Sequence, residues 1–90
     1  MGGESWPIYM FYAYVLKSLR DGTLYYGSSD NPQKRLADEH NKGKVRYTKG
    51  RMPLILIYQE EFVTRSDAMK REFFFKSGHG REYIKNILKR

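Results

Sequence analysis

The sequence predicts a small α+β domain, in which an antiparallel sheet of about three strands is flanked by helices. The chain has 90 residues, which suits one domain. Two aromatic stretches around an Asp-Gly pair predict a β-hairpin near the start. Ile84, Ile87 and Leu88 stand at helical spacing near the end. The order of strand, strand, helix, strand, helix, helix is typical of one sheet with helices packed against it. We expect this single domain to occupy about residues 10–88.

The first two elements form the predicted hairpin. Residues 8–18, IYMFYAYVLKS, are rich in strand-forming types, and residues 23–27, TLYYG, form a short second strand. Alternation along strands and an even-length turn at Asp21-Gly22 put Tyr14 and Tyr25 on the same face. Their phenols can therefore converge on one object, although cross-strand packing of aromatic residues explains the same pattern.

A helix is expected directly after the hairpin. Asp30 or Asn31 can cap it, and Pro32 suits the first helical position. The helix should run to about Asn41, and Gly43 provides a stop signal.

A basic loop and a third strand follow. Residues 42–52, KGKVRYTKGRM, carry five basic residues and two glycines, which predicts a loop. Residues 53–62, PLILIYQEEF, are the most apolar run of the chain. Such a run indicates a strand with both faces covered, so we expect it to be the central strand.

Two helices complete the chain. The pair Thr64 and Asp67 resembles a capping box at the start of TRSDAMKREFFFKSG, and Gly78 should close that helix. Residues 78–82, GHGRE, have two glycines but do not follow a strand, so they predict a turn rather than a phosphate-binding loop. The last helix covers REYIKNILK.

The composition favours a polyanionic partner. Lys and Arg number 17 against 10 Asp and Glu, which gives a net charge of +7 and points to nucleic acid. A basic surface kept for solubility would give the same count. The absence of cysteine excludes disulfides, cysteine-based zinc sites and a thiol nucleophile. No signal peptide and no apolar run of about 18 residues are present, so we expect a cytoplasmic protein without a membrane partner.

Three further residues are candidates for a site near the tyrosines. Gly27 ends the second strand and leaves room for a phosphate or backbone to approach. Arg35 lies one turn into the next helix, where its guanidinium can bind a phosphate or simply face solvent. Glu72 borders the apolar face of its helix and can bind a divalent cation, or form an i, i+4 pair with Lys76.

These residues together resemble the GIY-YIG endonucleases. Ala13-Tyr14-Val15-Leu16 resembles the first half of the motif and Tyr25-Tyr26-Gly27 the second, and SSDNPQKRL resembles the loop and Arg-bearing helix that follow. HNKGKVRYTKGRMPLILIYQEEF and AMKREFFFKSG are similar to the rest of the small stand-alone bacterial members, which are related to the excision-repair incision nuclease domain. Tyr12 and Tyr26 do not match any functional residue of the family motif.

The resemblance implies a metal-dependent endonuclease that hydrolyses phosphodiester bonds of DNA, with one Mg²⁺ or Mn²⁺ ion. Tyr14 would orient or deprotonate the attacking water, and Tyr25 would hydrogen-bond the scissile phosphate or share the proton transfer. Arg35 would stabilise charge on the phosphate, and Glu72 would bind the metal. The DNA is expected to be branched or damaged, in repair or recombination, and a protein partner for targeting is left open.

One residue departs from the family's spacing. A His or Tyr usually follows the Arg at i+4, whereas His40 follows Arg35 at i+5. On a regular α-helix, at about 100° per residue, the two side chains point roughly 140° apart. His40 therefore joins the site only if the helix ends early and His40 swings in; otherwise it faces solvent at the helix end.

The basic loop is the predicted nucleic-acid contact. Lys44, Arg46 and Lys49 can bind the phosphate backbone, and Tyr47 can stack on a base. The alternative function is a non-catalytic nucleic-acid-binding module with the same fold. The position of Glu72 relative to the tyrosines discriminates between the two.

Overall fold

The computed structural model describes residues 9–89, and Ile8 of the predicted first strand lies outside them. It confirms the α+β class. The strands and α-helices in chain order are β1 (Phe11–Ser18), β2 (Leu24–Ser29), α1 (Pro32–Arg35), β3 (Leu54–Phe62), α2 (Arg65–Lys76) and α3 (Gly78–Leu88). A π-helical turn (Leu36–His40) and, within the predicted basic loop, a 3-10 turn (Lys49–Arg51) lie between α1 and β3. Within the described part of the chain, no helix is long and apolar enough to cross a bilayer.

The sheet is antiparallel, and β1 is its central strand. The strand order is β2-β1-β3, so the expectation that residues 53–62 form the central strand is wrong. Four consecutive residues of β1, from Ala13 to Leu16, are buried because both faces of this strand are covered. In β3 only Leu54 is buried, and Ile55 is 40% exposed. An apolar run shows that a strand packs on something, but not which strands pair on either side of it.

Each face of β1 has its own apolar cluster. Ala13 and Val15 pack with Phe75 of α2 and Ile84 of α3. Tyr14 and Leu16, on the opposite face, pack with Leu36 and Leu54. The two long helices thus cover one face, and the segment after β2 covers the face that carries Tyr14.

The predicted hairpin is confirmed, with a longer second strand. Gly22 has φ +77°, a conformation that favours glycine, and its N–H donates to the Ser18 carbonyl over 2.9 Å. Strand β2 continues past Gly27 to Ser29, because Ser28 and Ser29 still pair with β1.

The segment after β2 is helical but not uniformly α-helical. Asn31 caps it by accepting from the Lys34 N–H over 3.1 Å, and Pro32 takes the first helical position as expected. Residues Leu36–His40 then form a π-helical turn. Gly43 has φ +74°, consistent with its predicted part in ending the helical segment.

Ser77, rather than Gly78, separates the last two helices. Thr64 caps α2 as predicted, by accepting from the Asp67 N–H. The Ser77 hydroxyl donates to the Phe74 carbonyl over 2.6 Å and accepts from the Gly80 N–H over 3.1 Å. The expectations that Gly78 closes α2 and that residues 78–82 form a turn are therefore wrong. Because Ser77 caps the end of α2 and the start of α3, α3 begins directly at Gly78 and includes Gly80.

Candidate active site

Tyr14 and Tyr25 meet on one face of the sheet, as their strand positions predict. Tyr14 pairs with Gly27 and Leu16 pairs with Tyr25, so the two tyrosines are diagonal neighbours. Their ring centroids are 6.5 Å apart. Tyr14 is only 1% exposed, whereas Tyr25 is half-buried. Tyr25 is therefore the phenol with more access to solvent.

His40 joins the two tyrosines and is fully buried. Its Nε2 lies 3.2 Å from the Tyr14 hydroxyl, and its ring centroid lies 4.9 Å from that of Tyr25. Its Nδ1 lies 2.9 Å from Oγ1 of Thr48. The Thr48 hydroxyl is also 3.4 Å from the Val45 carbonyl, to which it donates. This network favours the tautomer in which Nδ1–H donates to Thr48 and Nε2 accepts from Tyr14.

The π-helical turn explains how His40 reaches the site. An i, i+5 hydrogen bond joins the Asn41 N–H to the Leu36 carbonyl over 2.9 Å. Such a turn brings residues five apart onto the same side of the helix, whereas an α-helix does so for residues four apart. The i+5 spacing of Arg35 and His40 therefore matches the local helix type, and His40 points into the protein rather than into solvent.

Arg35 lies at the rim of this cluster. Its Nε donates to Oε1 of Glu39 over 3.0 Å, and about 40% of its side chain is exposed. Its charge lowers the pKa of His40 and acts on both tyrosines. Arg35 is thus close enough to influence the site electrostatically, while its guanidinium remains accessible.

The phenols and the imidazole are all neutral near pH 7. Burial, and then the neighbouring Tyr25, raise the pKa of Tyr14 far above its ordinary value of 10.0. Burial and the Glu72 carboxylate raise the pKa of Tyr25 in the same way. Burial, and then Arg35, lower the pKa of His40 below 6.5. The cluster therefore contains a proton donor next to an unprotonated acceptor.

Gly27 makes room for Tyr14. A Cβ atom at Gly27 would lie 2.6 Å from both Cζ and the hydroxyl oxygen of Tyr14. The Tyr14 phenol fills the space that a side chain at position 27 would need, so only glycine fits here without moving Tyr14. Direct approach of a phosphate to Gly27 stays a prediction.

Glu72 belongs to α2 and lies beside β2, where its carboxylate contacts two side chains. The Ser28 hydroxyl donates to its Oε1 over 2.8 Å, and Lys76 Nζ lies 2.8 Å from its Oε2. Its charge acts on the pKa of both Tyr14 and Tyr25. The ion pair with Lys76 is present, as the alternative interpretation predicts. The carboxylate belongs to α2, which covers the sheet face opposite to Tyr14, and its charge acts on the tyrosines from there.

The side chains present fit a divalent ion that takes few of its ligands from the protein. Among residues 9–89, no three His, Asp or Glu side chains are grouped to hold a metal. Mg²⁺ commonly takes one or two carboxylates and completes its shell with water and substrate phosphate. Glu72 supplies one such carboxylate. Its side chain is 22% exposed, so water and a phosphate can complete the shell of the ion.

The basic loop contributes one aromatic ring to the site. The ring of Tyr47 lies 5.5 Å from that of Tyr25, and the Arg51 guanidinium lies 4.6 Å above it. Lys44, Arg46 and Lys49 are exposed. Within the described chain, no hydrogen bond, ion pair or ring contact joins these three side chains to the tyrosines, and their role in DNA binding stays a prediction.

Sequence reasoning missed two supporting residues, Thr48 and Ser28. Thr48 is fully buried beneath His40, and Ser28 holds Glu72. Ser28 and Glu72 are separated by 44 positions, so no local pattern links them. Thr48 lies in a loop whose composition indicates only exposure to solvent.

Comparisons with known proteins agree with this geometry. Residues 10–85 match the model of the GIY-YIG catalytic domain. A UPF0213 protein of Staphylococcus haemolyticus is 41% identical over 80 residues, which cover 88% of this chain and 95% of that protein. A UPF0213 protein of Bacillus licheniformis is 50% identical over 66 residues, which cover 72% and 66% of the two chains. The chain therefore belongs to the GIY-YIG family of nucleases, among proteins similar to its small stand-alone bacterial members.

Proposed function

We propose that the protein is a metal-dependent endonuclease that hydrolyses phosphodiester bonds of DNA. The observation that carries this proposal is the contact of Tyr14 with His40 beside Tyr25, on a sheet face whose rim holds Arg35. A proton donor, an unprotonated acceptor and an accessible cation are the groups that phosphodiester hydrolysis requires.

The chain's own residues supply three parts of the reaction. The Tyr14 hydroxyl orients the attacking water and takes its proton, while the phenolic proton passes to Nε2 of His40. This relay leaves Tyr14 neutral, as its raised pKa requires. Tyr25 donates a hydrogen bond to the scissile phosphate, and Arg35 stabilises the charge that develops on its oxygens.

Glu72 is the residue that would hold the divalent ion. When bound, such an ion neutralises phosphate charge and stabilises the leaving oxygen. Ser28 orients the carboxylate, and Lys76 keeps it paired when no ion is present.

The choice of DNA is proposed to depend on structure rather than on sequence. A chain of 90 residues has little surface for reading base edges, so recognition through DNA shape or through a partner protein is favoured. We place this activity in repair or recombination, and a cytoplasmic location stays a prediction.

The test is a cleavage assay on a panel of linear, nicked, branched and damaged DNA with Mg²⁺, Mn²⁺ or EDTA. We expect metal-dependent cuts on a subset of these substrates, and none with EDTA. Equal cutting with EDTA would overturn metal dependence.

A binding module without catalysis is the second candidate function. It is favoured by the 1% exposure of Tyr14, which leaves its hydroxyl little contact with solvent. In the same panel, binding of DNA without cleavage under any metal condition would support this alternative.

A further inference from the structure

An open groove of about 700 Å³ follows the free edge of β2. This volume lies within the range of roughly 300–1,000 Å³ that is typical of small-molecule sites. Three tyrosines and three cations line most of it: Tyr25, Tyr26, Tyr47, Lys76, Arg81 and Lys85. No carboxylate lines it. The groove therefore suits an anionic ligand that carries a flat ring.

The groove crosses from the candidate active site to α3. Successive strand residues point to opposite faces, so Tyr25 and Tyr26 line it from different sides of the sheet. Tyr25 belongs to the face that carries Tyr14, and Tyr26 packs at 6.2 Å from Phe75 on the helix-covered face. A strand of nucleic acid that places a phosphate beside Tyr25 can thus continue around this edge towards α3.

Two cations of α3 face the groove. Arg81 and Lys85 are exposed and stand one turn apart, so they lie on the same side of the helix. Within residues 9–89, no carboxylate lies at ion-pair distance from either side chain. Arg81 and Tyr26 line the same groove. Burial raises the pKa of Tyr26, and the Arg81 charge opposes this shift. These features suit contact with a phosphate, which favours paired cationic donors.

Tyr47 provides an exposed ring on the other side of the groove. Its side chain is 53% exposed, while contacts with Tyr25 and Arg51 hold the ring in place. A fixed aromatic ring beside a cationic track is the arrangement on which unstacked bases bind in proteins that bind single strands.

We propose that this groove binds the nucleotide next to the scissile phosphate, with its phosphate on Arg81 and Lys85 and its base stacked on Tyr47. The proposal rests on the proposed function in taking a DNA strand as the ligand. It adds that one base beside the cut leaves the stack to bind Tyr47, and that α3, outside the tyrosine cluster, holds the phosphate of that nucleotide.

The test measures binding without cleavage. A fluorescein-labelled DNA pentanucleotide and the same backbone with abasic sites are titrated with protein in EDTA, and fluorescence anisotropy is recorded. We expect the wild type to prefer the oligonucleotide with bases at least about fivefold, the lower end of a stacking contact. Tyr47→Leu should abolish this preference. Equal affinity of the wild type for both ligands would overturn the proposal.

Paired charge variants test the phosphate contact. Arg81→Ala/Lys85→Ala should weaken binding of both ligands about tenfold more than the matched control Lys70→Ala/Lys89→Ala, whose lysines are exposed and do not line the groove. Equal losses of affinity in the two double variants would show that these cations attract DNA only through the net charge of the protein. That result would overturn the proposed phosphate contact of Arg81 and Lys85. Lys85→Glu gives a second measurement if the alanine variant does not fold.

An acidic peptide is the competing occupant. A pentaglutamate peptide should fail to displace the oligonucleotide at concentrations where unlabelled DNA does so, and efficient displacement would overturn the proposal. Because these titrations need no cleavage, they distinguish failure of the groove from failure of the nuclease. A wild type that binds with base preference but never cuts contradicts the proposed function alone.

Discussion

The Tyr14 hydroxyl lies 3.2 Å from Nε2 of His40, although 26 positions separate the two residues in the chain. Both side chains are almost completely buried, so this hydrogen bond joins the central strand to the π-helical turn. A buried phenol next to a neutral imidazole is a stabilising pair and also a route for a proton. Substitution of His40 separates these two roles, because the catalytic rate and the stability respond to pH in different ways.

Replacing His40 should remove the proton acceptor. We expect His40→Gln to lower the cleavage rate by about 100-fold or more, the size of a general-base contribution. Burial and Arg35 lower the pKa of His40, so the wild-type rate should fall only on the acid side of the ordinary imidazole value, and the variant should lack this fall. Rates measured from pH 5 to 8.5 check both points. Superimposable pH profiles would contradict a base role for His40.

Acid should destabilise the fold through the same residue. The pKa of folded His40 is lowered by burial and Arg35, so the unfolded chain binds more protons below the ordinary value of 6.5. The contribution of neutral His40 to the free energy of unfolding is therefore complete above pH 6.5 and is lost as the pH falls towards the pKa of the folded state. Thermal unfolding at pH 7.5 and 5.5 should show this loss in the wild type and in His79→Gln. In His40→Gln the loss should be smaller.

Gly27→Ala should displace the Tyr14 phenol. Because the new Cβ would lie 2.6 Å from the Tyr14 hydroxyl oxygen, we expect a loss of about 1–3 kcal/mol in stability together with a loss of cleavage. Gly50→Ala is the matched control, since a Cβ there meets nothing within 4 Å. Chemical denaturation of both variants gives the comparison, and equal stability would argue against tight packing at Gly27.

Glu72→Gln should abolish metal-dependent cleavage but leave DNA binding within about threefold of the wild type. Ser28→Ala, which removes only the hydrogen bond to the carboxylate, should cost about 10–100-fold in activity or metal affinity. Metal titrations of the cleavage rate check both, with exposed Glu61→Gln as the control. Normal metal dependence in Glu72→Gln would exclude this residue as the ligand.

Gly80→Ala should disturb the corner between α2 and α3. A Cβ at Gly80 would lie 1.7 Å from the Phe74 carbonyl oxygen, so we expect a loss of at least about 1–3 kcal/mol in unfolding free energy. A Cβ at Gly78 meets nothing within 4 Å, and Gly78→Ala should be neutral or slightly stabilising. Similar unfolding curves for the two variants would contradict close packing at this corner.

The features predicted correctly from the sequence depend on short-range chemistry. The hairpin needs only strand-forming residues around Asp21-Gly22, and the cap at Thr64 needs only a side-chain oxygen three positions before a free N–H. The shared face of Tyr14 and Tyr25 follows from alternation along strands and from the turn. The family motif identifies the candidate residues because its members lie in a fixed order along the chain.

The features that the sequence alone left open or predicted wrongly depend on contacts between distant segments. Hydrophobicity does not distinguish a central strand from an edge strand, so the apolar run of β3 wrongly predicts the central position. The pairing of Glu72 with Ser28 arises because α2 packs across β2.

By itself, the sequence determined the order of strands and helices, the cap at Thr64 and the tyrosine pair, because each depends on neighbours a few positions away. Only the tertiary structure decided where His40 points. A helix changes its period when the gain from burying an imidazole against Tyr14 and Thr48 outweighs the cost of leaving α-helical geometry. That balance depends on the strand and loop packed above it, which no local spacing encodes.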